Sequence, residues 1–109
     1  MPWLLRDDQV LATLEVADSL GTRARGLIGR EGIEGALLLR PAWSVHTFGV
    51  RFPIDVAHCD GDMRVLRTTT MSPNRLGLPV LQARAVIESE AGTFREWGLR
   101  PGDELEVKA

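Results

Sequence analysis

Four side chains able to do proton or ligand chemistry fall within ten residues: His46, Thr47, Arg51 and Asp55. They sit in the run Ser44-Val45-His46-Thr47-Phe48-Gly49-Val50-Arg51-Phe52-Pro53-Ile54-Asp55, framed by apolar residues. An imidazole beside a carboxylate can move a proton. An arginine fork with a threonine hydroxyl can grip an anionic or sugar-like group. The competing structural use of the same residues is a buried Arg51–Asp55 pair with His46 bonded to backbone. Read as two strands joined at Arg51-Phe52-Pro53, the run has two registers. A three-residue turn sets His46 opposite His58, and a two-residue turn sets it opposite Cys59 on the Asp55 side. A shift of one residue reverses every face, so His46 shares a side with Asp55 in one register only. A metal held by His46, His58 and Asp55 fits neither register, and no metal or cofactor is expected.

Other motifs point to structure. Gly26, Gly29 and Gly32 are spaced GxxGxxG, which matches neither the dinucleotide nor the phosphate-loop pattern. They read as close packing and a helix end. Asp60-Gly61-Asp62 lacks the further ligands of a calcium loop and reads as a hairpin turn. Cys59 is the single cysteine, so no internal disulfide can form, and it reads as a small, partly buried strand residue.

The elements that would position these residues are short. Val10, Ala12, Leu14 and Val16 alternate with Leu11, Thr13 and Glu15, as in a half-buried strand. Asp18-Ser19 can cap a helix with Leu20, Ala24, Leu27 and Ile28 on one side, weakened by glycines at up to roughly 1 kcal/mol each. Gly35–Leu39 reads as a buried strand stopped at Pro41. Further strands are expected at 63–69, 83–88 and 104–108, a loop at 70–79, and a helical turn at 92–97. Turn residues every eight to twelve positions favour a mainly β domain: a small jelly-roll-like β-barrel or sandwich with one or two short helices.

The chain is 109 residues and 12.0 kDa, the size of one domain, read as 1–109. Hydrophobic residues are 44% and charged residues 26%, enough apolar content for a packed core. A net charge of -2 gives no general pull toward nucleic acid or anionic membrane. No continuous apolar stretch follows the N-terminus, so no signal peptide or membrane insertion is expected, and the protein reads as cytoplasmic.

The ordered set of motifs resembles a known bacterial and archaeal family, domain of unknown function 192. The matching residues are Arg25-Gly26-Leu27-Ile28-Gly29-Arg30, then His46 through Val56, Pro73, Ala85-Val86-Ile87-Glu88, Ala91-Gly92 and Gly102-Asp103. The likeness covers roughly residues 10–108. It implies a mainly β, jelly-roll-like or barrel-like domain with a short helix, and it implies no activity. Many such relatives look exported. Two positions depart from the pattern: Val50 stands where methionine is common, and His58 where a large apolar residue is usual.

The functional expectation is a binding or accessory module recognising a small ligand, glycan or peptide through His46, Thr47, Arg51 and Asp55. Within that cluster, His46 and Arg51 are expected to line an accessible cleft, and Asp55 to be mainly structural. The alternatives are a small hydrolase or isomerase using His46 with Asp55, and a structural interaction domain presenting an edge strand to a protein partner. A flat apolar surface including Trp3, Trp43 or Trp97 would favour the last.

Overall fold

A computed structural model describes residues 1–109. The chain is mainly β, with seven strands in one sheet and two short helices. β1 (Trp3–Arg6) and β2 (Gln9–Ala17) form a hairpin whose turn places Asp7 and Asp8 in the left-handed region, at φ 53° and 64°. Aspartate tolerates that conformation better than most side chains. β2 leads into α1 (Leu20–Arg25), which starts at a reciprocal capping box between Ser19 and Thr22. The chain then returns as β3 (Ala36–Leu39), parallel to β2.

β4 (Ile54–Cys59), β5 (Val65–Met71) and β6 (Ala85–Glu90) are antiparallel neighbours. α2 (Thr93–Trp97) and β7 (Glu106–Lys108) complete the fold. The strand order is β5-β4-β6-β3-β2-β1-β7. The ladder does not close on itself. The segments leading into β5 and β7 do meet, with Val65 N–H donating to Asp103 O at 2.8 Å and Leu105 N–H to Met63 O at 3.0 Å.

Both faces of the central strands are covered, so β3 and β4 are buried along their whole lengths. Alternation sorts their side chains into two cores. One holds Leu4, Leu14, Leu38, Ala57, Cys59, Val65, Ile87 and Phe94. The other holds Leu27, Leu37, Leu39, Val45, Val50, Ile54, Val56 and Val86. The second core is roofed by the segment after α1 and by residues 44–50.

Those roofing residues correct the two-strand reading of 44–59. Only 54–59 is a strand, and neither of the two registers exists. β4 is already paired on one edge by β5 and on the other by β6, leaving no edge for 44–50 to join. Residues 43–47 pair instead with the loop after β5. Thr47 N–H donates to Arg75 O at 2.8 Å, Gly77 N–H to Val45 O at 2.9 Å, and Val80 N–H to Trp43 O at 3.1 Å. The partner of His46 is therefore Leu76, not His58 or Cys59.

Candidate functional site

The four residues singled out in the sequence separate in space. Asp55 is buried on the first-core side of β4. Its Oδ2 accepts from Gly92 N–H at 2.9 Å and Phe94 N–H at 3.0 Å, and its Oδ1 from the Thr70 hydroxyl at 2.7 Å. Gly92 is the N-cap of α2 and has no side chain to cap it, so a carboxylate from a neighbouring strand does the capping. Thr47 is fully buried; its hydroxyl donates to Ser72 O at 2.7 Å and accepts from Arg75 N–H at 2.8 Å, fixing the loop after β5.

Arg51 lies on the surface and pairs with Glu31 at 2.9 Å, so no Arg51–Asp55 clamp forms. His46 is exposed, stacks on Phe48 at 5.4 Å between ring centroids, and takes the Phe48 N–H on Nδ1 at 3.2 Å. In the neutral ring the proton then sits on Nε2. His46 is thus on the opposite side of the sheet from Asp55, and the pair cannot share a proton.

His46 instead stands at the rim of a cleft of about 70 Å³ on the second-core side. The cleft runs between residues 23–28, at the end of α1, and Ser44, Val45 and Val50. The two walls meet where Gly29 N–H donates to Gly49 O at 3.2 Å. A Cβ on Gly49 would approach Ile28 Cγ2 to 3.1 Å, and its φ is 82°, so only glycine lets the walls close so tightly. The floor is Leu39 and Glu88.

Glu88 is not among the site residues that the sequence pattern singles out. It lies on β6 between Leu37 of β3 and Val56 of β4, on the apolar side of a fully flanked strand. It is 5% exposed, and its side chain makes no hydrogen bond or salt bridge with the protein. Burial alone pushes its carboxyl from 4.5 up to about 7. Gly26, at φ 48° after α1, stands over it: a Cβ there would lie 3.9 Å from Glu88 Oε1. The signal was present in Ala85-Val86-Ile87-Glu88, because period two puts Glu88 with Val86 on a buried face. An acid there needs a partner or a neutral form. Near neutral pH this carboxyl can donate or accept a hydrogen bond, with the imidazole of His46 at the rim.

Two other titratable groups are buried without access. Cys59 is fully buried, and desolvation, with the nearby Asp60 charge second, pushes its thiol up to about 12, so it is no nucleophile. His58 is buried in β4 with neither ring nitrogen bonded. Desolvation, followed by the Arg67 charge, lowers its proton affinity and keeps it neutral. No three His, Cys, Asp or Glu side chains gather as a metal site would need.

Residues 4–107 match the model of the DUF192 family, described as Uncharacterized ACR. The UPF0127 protein PH1112 of Pyrococcus horikoshii is 32% identical over 84 residues, covering 72% of this chain and 73% of that protein. The UPF0127 protein PYRAB11210 of Pyrococcus abyssi is 29% identical over 98 residues, covering 85% and 84%. Two crystal structures share the fold at a TM-score of 0.82. One is a protein of unknown function from Novosphingobium aromaticivorans, 23% identical over 96% of this chain and 83% of its own. The other is a putative transcription regulator from Sinorhizobium meliloti, 20% identical over 97% and 91%. Fold, motif order and sequence agree: the chain belongs to the DUF192 family.

Proposed function

We propose that this protein is a binding module that takes a small polar group into the cleft between the end of α1 and residues 44–50. The reading rests on one observation: Glu88, 5% exposed, lines the cleft beside Gly26 with a carboxyl that has no protein partner. Such a group costs stability, and functional sites are where that cost is tolerated. A cleft of about 70 Å³ admits a few atoms, not a whole glycan or peptide. The fitting occupant is a hydroxyl or amide, free or at the end of a larger molecule. Such a group both donates and accepts, so it can pair with Glu88 in either protonation state. His46 sits at the rim, where it contacts whatever extends outward.

The test is amide-shift mapping by NMR with acetamide and glycerol at millimolar concentration. The wild type is expected to shift at Gly26, Leu27, Val45 and His46. Glu88→Gln, which keeps a donor and an acceptor, retains the shifts, and Glu88→Leu loses them. Shifts confined to other parts of the surface, or equal shifts in Glu88→Leu, would refute the reading.

A further inference from the structure

A second surface borders the cleft and is of the opposite character. Residues 43–48 and 75–80 run antiparallel, with Val45 and Gly77 turned inward against Met71 and the core. Alternation turns the intervening residues outward. Phe48, stacked on His46, therefore shares a face with Leu76 and Leu78, while Trp43 and Leu81 are also exposed on the same two segments. These five large apolar side chains are exposed by 51% for Trp43 and Phe48, 70% for Leu78, 72% for Leu81 and 76% for Leu76. Scattered exposed leucines are ordinary; five on one pair of segments are not.

The two segments carry no acid, although the Asp60-Gly61-Asp62 turn lies beside Arg84. Residues 35–54 and 63–87 contain no Asp or Glu, although the whole chain has a net charge of -2. Arg23, Arg40, Arg75 and Arg84 flank the two segments and none is in a salt bridge. Arg84 Nη1 donates to Leu81 O at 3.0 Å, which holds its guanidinium beside this face, and Arg23 Nη1 donates to Pro41 O at 2.9 Å, just before Trp43.

We propose that the face formed by residues 43–48 and 75–81 docks the protein onto an anionic phospholipid surface. Protruding aromatic and leucine side chains ringed by arginines suit an interface whose apolar layer lies just beneath negative headgroups. A second copy is a poor occupant, because an isologous contact would set unpaired arginines against unpaired arginines. None of these five side chains lines a main cleft, so the face offers no pocket for an anchoring side chain of an acidic protein partner. The contact is peripheral: no helix is long and apolar enough to cross a membrane.

The experiment is co-sedimentation of the whole chain with phosphatidylglycerol vesicles and, separately, phosphatidylcholine vesicles at low salt. The protein is expected to pellet with the first and stay in solution with the second. Arg75→Gln with Arg84→Gln should weaken binding about 25-fold, at roughly fivefold per arginine. Leu76→Asp with Leu78→Asp should weaken it more than tenfold. All four positions are exposed, so unchanged thermal melting separates lost docking from lost folding. Failure of the wild type to bind phosphatidylglycerol would overturn the proposal, as would equal binding to both vesicles or variants that bind normally. Concentration-dependent dimerisation in sedimentation velocity that Leu76→Asp abolishes would assign the face to a second copy. Capture by an acidic leucine-rich peptide, with no vesicle binding, would assign it to a protein.

Discussion

Replacing Glu88 with glutamine should make the protein more stable, and only at neutral to alkaline pH. Burial raises the Glu88 carboxyl from 4.5 to about 7. Between those values the folded chain holds a proton that the unfolded chain has released. The stability linked to that proton is therefore complete below about pH 4.5, falls as pH rises, and is fully lost above about pH 7. At about 1.4 kcal/mol per tenfold in proton affinity, the whole step is about 3 kcal/mol, an order-of-magnitude figure. Glutamine keeps the shape of the protonated acid and never ionises. Glu88→Gln should match the wild type within about 0.5 kcal/mol near pH 4. Near pH 8.5 it should be about 2–3 kcal/mol more stable, with a melting temperature higher by roughly 8–15 °C. Urea unfolding followed by tryptophan fluorescence at the two pH values measures both differences. A variant no more stable near pH 8.5 would refute the reasoning, because it would mean that the ionised carboxylate has found a partner, such as Arg23 or Arg25, which line the same cleft.

Three further substitutions probe the frame around the site. Asp55→Ala leaves Gly92 N–H, Phe94 N–H and the Thr70 hydroxyl without their acceptor, and should cost about 3–5 kcal/mol in urea melts while leaving cleft shifts in place. His58→Leu removes two buried, unbonded ring nitrogens and should stabilise by about 1–2 kcal/mol. The wild-type stability linked to neutral His58 is present above 6.5 and lost as pH falls through the lowered folded value, so the gain from His58→Leu should widen in acid, opposite in sign to the Glu88 effect. Gly35→Ala would put a Cβ 2.4 Å from Thr13 O at a φ of 72°, and should cost at least about 2 kcal/mol by thermal melting.

The strands were legible where the pattern was local. Val10 to Val16, Ala36 to Leu39 and Ala85 to Glu88 showed their strands through alternation or an apolar run, and Ser19 marked the start of α1. β1 was not legible, because its turn is made by Asp7-Asp8 rather than by the Asn-Gly or Asp-Gly that marks a hairpin. Residues 44–50 misled for a different reason. They are apolar and adjacent in sequence to β4, but β6, some thirty residues later, takes the edge of β4 they would need.

The site was half legible. His46 stands at the cleft and Asp55 caps a helix, yet clustering in sequence suggested a joint site for residues that end up on two faces and a surface. Glu88 could be suspected from its place on an apolar face, but its lack of a partner depends on residues 23–28 and 44–50, both distant in sequence. The exposed apolar residues of 43–48 and 75–81 were hidden because they lie in a loop and an irregular segment, where no period marks which side chains face solvent.

The most direct measurement is a carbon-13 NMR titration of the Glu88 side-chain carboxyl, with and without acetamide. An open, unpartnered acid predicts a midpoint near 7 that moves when acetamide is added. A midpoint at or below the ordinary 4.5, unmoved by acetamide, would show Glu88 to be an ionised structural residue and would remove the binding site.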